Sequence, residues 1–217
     1  MNLLTVGDSF TYGEELSDRS SAWPQLLANQ IGYELINLGQ PSASNDKILR
    51  TTLNHLITAA PDLVVIGWSN IGRSEHADEF GYYDVWPGYQ GNLFLRDGCT
   101  WRNDLVDYVS RYHSAEAMHL KFIQQILLLQ SYLKSSNIKY VMLNILQNEY
   151  YKKKHFNGQQ QYFNQVNTEQ FLGFNHSGMM EWTYGTPQGP GGHFLEEGHQ
   201  IVSNKIYEHI RNLGWLS

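Results

Sequence analysis

A serine acts as a nucleophile only where its hydroxyl meets a substrate and a base lies within hydrogen-bond reach. Ser9 has the right setting for the first condition. Asn2-Leu3-Leu4-Thr5-Val6 is a short, strand-prone apolar run, and it stops at Gly7-Asp8-Ser9-Phe10-Thr11-Tyr12-Gly13, a composition suited to a tight turn. In an open α/β sheet the loops leaving the C-terminal ends of the strands form the crevice where ligands bind, and Ser9 falls in such a loop. Histidine is the side chain best suited to take the serine proton near neutral pH. The chain has nine, of which His55, His113, His119 and His209 fall in helical segments and read as surface or partly buried residues.

Other chemistries find less support. There is no His-Glu-x-x-His and no cysteine pair, so no transition-metal site is expected. No Gly-x-Gly-x-x-Gly follows a strand and no Walker-type loop occurs, so no nucleotide cofactor is expected. A net charge of −6 and a pI near 5.8 argue against a nucleic-acid partner, which requires a basic face. Cys99 is the single cysteine and forms no intramolecular disulfide, so nothing requires an oxidising compartment. No charged and then apolar leader precedes the first strand, and no 18-residue apolar run occurs. The expectation is a soluble chain with no membrane partner, cytoplasmic by default.

The elements that must position Ser9 follow in order. Trp23-Pro24-Gln25-Leu26-Leu27-Ala28 begins a helix with proline in its first turn, and Gly32 ends it. Tyr33 to Leu38 reads as a second strand, and Ser44 or Asn45 caps a helix with Leu49, Leu53, Leu56 and Ile57 at helical spacing. Leu63-Val64-Val65-Ile66 is the continuous apolar run of a central parallel strand. Ala115, Met118, Phe122, Ile126, Leu129 and Leu133 give the most regular helix, Lys139 to Asn144 a fourth strand, and Val202, Ile206 and Ile210 a closing helix. Strand and helix alternate, which implies a parallel sheet with right-handed crossovers. The 217 residues, 41% hydrophobic and 17% charged, suit one domain. Two stretches without periodicity, about 69–112 and 147–190, read as insertions.

Four pieces in order resemble the SGNH hydrolases, the GDSL-type lipase and esterase superfamily. They are Val6-Gly7-Asp8-Ser9, Asn37-Leu38-Gly39, Gly67-Trp68-Ser69-Asn70, and His193 with Gly198-His199 before the last helix. The resemblance implies an α/β fold, a three-layer α/β/α sandwich around a central parallel sheet, flavodoxin-like in its winding. It implies Ser9 as nucleophile and His193 as base; His199 itself reads as a structural or N-terminal helix residue. It also implies an oxyanion hole from the backbone N–H groups of Ser9 and Gly39 and a side chain at Ser69 or Asn70. The family pattern Asp-x-x-His is broken here, because Pro190 stands where the aspartate belongs. Three arrangements are compatible with that change. A backbone carbonyl from residues 186–191 accepts the Nδ1 proton, a carboxylate from elsewhere (Glu196, Glu197 or one from an insertion) substitutes, or the site is weak or inactive. The carbonyl-supported dyad is favoured.

The first insertion carries Phe80, Tyr82, Tyr83, Trp86, Tyr89, Phe94 and Trp101 among Asp78, Asp84, Arg96 and Asp97. Aromatic faces with polar edges suit stacking on sugar rings as well as packing onto the body. Asp8, Trp68, Arg73, Tyr82 and Trp86 are the expected substrate contacts, with Arg73 anchoring a polar or anionic group or pairing with Glu75. The expected function is a serine esterase releasing a small acyl group, such as acetyl, from a glycan or other small-molecule ester. A catalytically silent glycan-binding or structural module on the same scaffold is the alternative. A lipid-type hydrolase or thioesterase ranks third, since no acyl channel is visible in the insertions.

Overall fold

A computed structural model describes residues 1–79, 81–85, 108, 110–112, 114–146 and 160–216. Among the described residues, five parallel strands form the central sheet: β1 (Asn2–Val6), β2 (Glu34–Asn37), β3 (Leu63–Trp68), β6 (Lys139–Asn144) and β7 (Phe171–Leu172), in the order β2-β1-β3-β6-β7. A separate antiparallel hairpin pairs β4 (Ser74–Asp78) with β5 (Gly81–Val85). The α-helices among the described residues include α1 (Ser9–Tyr12), α2 (Trp23–Ile31), α3 (Asn45–Thr58), α4 (Ala115–Ser135), α5 (Gln160–Phe163), α6 (Met179–Trp182) and α7 (Glu196–Asn212).

The three layers follow from the two-residue period of the strands. Leu4 and Val6 of β1, Val64, Ile66 and Trp68 of β3, and Tyr140 and Met142 of β6 share one face with Ile48 and Leu56 of α3 and Phe122, Ile126, Leu129 and Leu133 of α4. Leu3, Leu63, Val65, Val141 and Leu143 take the other face, against Trp23 and Leu27 of α2 and Val202, Ile206 and Ile210 of α7. Each such buried aliphatic side chain contributes on the order of 1.5–3 kcal/mol by leaving water. The chain has the three-layer α/β/α sandwich around a parallel sheet expected from its motifs.

The order also locates the crevice. The connection leaving β1 runs to β2 on one side, whereas β3 lies on the other, so the winding reverses at β1 and β3. Ligands bind at such a switch point, beyond the carboxyl ends of the strands. Ser9 follows β1 there and Ser69 follows β3.

Three local details differ from the sequence reading. The buried stripe of α3 is Ile48, Thr52 and Leu56, with Leu49 and Leu53 at its margin, while Ile57 is 73% exposed. The sheet gains a fifth strand, β7, from the second aperiodic stretch. The hairpin β4–β5 lies in the first stretch and is tied to α3 by charge. Glu75 accepts from Arg50 Nε at 2.7 Å and Nη2 at 2.6 Å, and Asp84 pairs with Lys47 at 2.9 Å. Glu75 therefore partners Arg50, not Arg73.

Candidate active site

Asp8 ends β1 by capping the short helix α1. Its Oδ1 accepts the Phe10 N–H at 3.1 Å, satisfying one of the donors that a helix start leaves without an intrahelical acceptor. Ser9 is then the first helical residue. At the other end Gly13 (φ 80°) turns the chain in the left-handed conformation and its N–H closes on the Ser9 carbonyl at 3.0 Å. Glu14 bonds to the same carbonyl, and Glu15 follows with φ 67°.

His193 comes from a tight loop before α7. The Gly189 N–H donates to the His193 carbonyl at 2.8 Å, the Gly192 N–H to the Gly189 carbonyl at 3.0 Å, and the Leu195 N–H to the Pro187 carbonyl at 3.0 Å. The imidazole packs on Phe10, with ring centroids 4.6 Å apart, and Phe10 packs on Phe194. Nε2 of His193 lies 2.8 Å from Ser9 Oγ, and Nδ1 lies 2.8 Å from Glu15 Oε2. The same carboxylate accepts the backbone N–H of Gly191 at 2.6 Å and of His193 at 3.1 Å. Burial of Glu15 works against its charge. The Gly191 N–H and the ring and backbone of His193 outweigh that effect and hold its carboxyl below the usual range.

The acceptor at Nδ1 is thus a carboxylate, and neither a carbonyl of the 186–191 loop nor Glu196 or Glu197. It belongs to the segment just beyond Ser9. Sequence spacing offered no signal for Glu15, because the contact joins residues 178 positions apart.

Around Ser9 the expected donors divide. Ser9 N–H sits at the helix start, where it has no intrahelical acceptor. Gly39 N–H is directed at Asn37 Oδ1, 2.9 Å away, and not at the crevice. What Gly39 supplies is room: a Cβ there would lie 2.7 Å from the Tyr12 nitrogen and 2.8 Å from the Thr11 carbonyl carbon. Ser69 is buried and its hydroxyl donates to Asp8 Oδ2 at 2.7 Å, so its proton is committed. Asn70 is half-buried and its Oδ1 accepts the Gly72 N–H at 2.7 Å, which leaves its Nδ2 to donate elsewhere.

The expected substrate contacts are also redistributed. Asp8 is fully buried, and its Oδ2 meets Ser69 and the Arg73 guanidinium, the latter at 3.3 Å. Burial pushes the Asp8 carboxyl up, opposed by Arg73, Ser69 and the Phe10 N–H. Arg73 Nη1 also donates to Ser69 Oγ at 3.0 Å. Its charge serves this buried carboxylate beside Ser9. Trp68 is fully buried because β3 alternation turns it toward α4, edge-on to Phe122 with centroids 5.7 Å apart. Tyr82 is 59% exposed on the hairpin and carries the Arg50 guanidinium 4.0 Å over its ring. Trp86, like Phe80, Tyr89, Phe94, Arg96, Asp97 and Trp101, lies outside the described residues.

His199 is 1% exposed, and its Nδ1 accepts the Trp23 N–H at 3.1 Å, capping the start of α2. Burial, then the nearby His193, push its pKa down to about 3. Among the described residues no group of three His, Cys, Asp or Glu is arranged to hold a metal, and no helix is long and apolar enough to cross a membrane.

With this geometry in place, the chain can be set beside known proteins. Residues 11–217 match a family described as a family of unknown function (DUF6071). Comparison with curated protein sequences gives no significant match. The structure is similar to that of TesA, with TM-score 0.60 and 17% identity over 98% of this chain and 99% of that one. It is also similar to the psychrotrophic esterase EstA from Pseudoalteromonas sp., at TM-score 0.58 and 14% identity over 98% and 97% of the two chains. A third similar structure is an acetyl xylan esterase, Est2A, from Butyrivibrio proteoclasticus. There the TM-score is 0.56 and the identity 12%, over 99% of this chain and 65% of that one. At these identities the likeness is one of fold.

Proposed function

The chain belongs to that family of unknown function, and from its own site we propose that it is a serine esterase working through an acyl-enzyme. The observation that carries this reading is the 2.8 Å approach of His193 Nε2 to Ser9 Oγ. In the proposed reaction Ser9 Oγ attacks the ester carbonyl while His193 takes its proton. The oxyanion forms against the Ser9 N–H and the Asn70 side-chain amide. The imidazolium gives its proton to the leaving alcohol, and water activated by His193 then releases the acid from Ser9. A preorganised donor at the oxyanion is worth about 10² to 10³ in turnover.

The acyl group we propose is short, acetyl first, on a carbohydrate carrier. Two things support this choice: one neighbour of the same fold is an acetyl xylan esterase, and Tyr82 offers an exposed aromatic face on the hairpin tied to α3. Hydrolysis of p-nitrophenyl acetate tests the reaction, and a screen of acetylated sugars against p-nitrophenyl esters of increasing chain length tests the substrate. Turnover of acetyl esters that collapses with longer chains is expected. Folded protein without turnover of any of them would favour the silent glycan-binding module.

A further inference from the structure

A histidine that takes a proton at Nε2 works only if its other nitrogen holds a proton and points it at an acceptor, since the opposite tautomer presents Nε2–H to the serine. In this chain the position three residues before His193 is proline, which supplies no acidic side chain. We propose that Glu15 is the acid of the site, a positioning residue that acts on Ser9 through His193 alone. The inference rests on reading Ser9 and His193 as nucleophile and base.

Three independent features converge on Glu15. The first is the 2.8 Å bond from Nδ1 to Oε2, which with the Ser9 contact makes a continuous chain from carboxylate to imidazole to hydroxyl. The second is the way the carboxylate is held. Gly191 N–H bonds to Oε1 and His193 N–H to Oε2, so the loop that carries the base also grips the acid. The third is the sequence of that loop. A Cβ at Gly189 would lie 2.6 Å from Glu15 Cδ, and one at Gly191 3.0 Å from Oε2. Gly189-Pro190-Gly191-Gly192 is thus a backbone cradle shaped around a carboxylate that arrives from elsewhere, with Gly192 (φ 83°) closing the turn.

Glu15 itself occupies the left-handed region, an unfavourable place for a residue with a side chain. That conformation brings the carboxylate onto the loop, and its three N–H partners offset the strain. Nucleophile and acid therefore sit six positions apart on one short segment, while the base alone comes from the far end of the chain. Pro190 does not mark a lost acid. The acid has changed segments, and the glycines on either side of Pro190 accommodate it.

The test compares Glu15→Gln with Glu15→Asp, and adds Gly191→Ala as a change that leaves the carboxylate chemically intact. Three quantities are read: kcat and KM on p-nitrophenyl acetate, the rate of Ser9 labelling by a fluorophosphonate, and the downfield proton resonance of the His193 Nδ1–H in the free protein. Glu15→Gln should lower kcat by up to about 10⁴-fold with KM changed little, because the group touches no substrate. It should also abolish the downfield resonance. Glu15→Asp should recover at least about tenfold over Gln, a rescue that loop clasping without charge would not give, and Gly191→Ala should fall between the two. Equal kcat in wild type and Glu15→Gln, or a resonance that survives the substitution, would overturn the proposal. A wild-type chain whose Ser9 does not label would overturn the nucleophile reading instead. Glu15 would then be judged by the resonance alone, where survival in Glu15→Gln still counts against it.

Discussion

The Ser9 turn and the His193 loop reach the same point in space by opposite means. Ser9 is held by its neighbours in sequence: the cap from Asp8, the helix it begins, and the strand it follows. His193 is held by a residue 178 positions away, through a cradle of glycines that accept Glu15. One placement is local and buried, the other non-local and partly open to solvent. The turn that carries Ser9 is accordingly legible in the sequence, and the contacts of the loop that carries His193 only in part.

The largest expected effect tests whether the two regions work as one unit. Ser9→Ala and His193→Ala should each lower kcat by about 10⁶-fold if the groups act in concert, and the double variant should be no worse than either single. Losses that multiply in the double variant would break the coupling.

On the nucleophile side, Arg73→Met leaves the Asp8 carboxylate buried without its guanidinium. This should cost about 3 kcal/mol of unfolding free energy, and adding Asp8→Asn should recover much of it. Urea denaturation of the three variants measures both. A stability unchanged by Arg73→Met would remove the buried pair from the account.

Acid should loosen the base side, in two windows. His199, with its pKa lowered to about 3, stays neutral in the fold but gains a proton in the unfolded chain. Its contribution is complete above pH 6.5 and lost between there and pH 3, at up to about 1.4 kcal/mol per pH unit. Glu15 is held below its ordinary value of 4.5, so its clasp on the loop is complete above that pH and is lost as pH falls through the lowered value. Stability against pH should therefore fall first below 6.5, and His199→Ala should flatten that first slope. The protection of the Gly191 and His193 amides against exchange, taken relative to the intrinsic rate at each pH, should fall only below about pH 4.5. Both changes arriving together would contradict the separate roles.

The smallest effect belongs to the hairpin. Tyr82→Ala removes an exposed ring and should change stability by no more than about 0.5 kcal/mol. A selective rise in KM for acetylated sugars, with p-nitrophenyl acetate unaffected, would place the ring at the carrier.

Legibility followed the range of the interactions. Leu63-Val64-Val65-Ile66 reads as a buried strand because its whole run is apolar, and it forms the centre of the sheet. Phe171–Leu172 was hidden, since two residues carry no period and the strand exists only by pairing with Met142 and Leu143. Trp68 looked like a crevice residue from its place after the apolar run, but strand alternation turns it inward. Ser69 and Gly39 fall in the expected turns, yet their hydrogens are committed to Asp8 and Asn37, pairings fixed by the packing of turn against turn. Glu15 was out of reach for the same reason.

The central claim is the proton couple between Ser9 and His193, and covalent labelling tests it most directly. Wild-type protein treated with a fluorophosphonate should gain a single adduct that peptide mapping places on Ser9, and His193→Ala should label far more slowly. Folded wild-type protein that stays unmodified, or carries its adduct on another residue, would contradict the account.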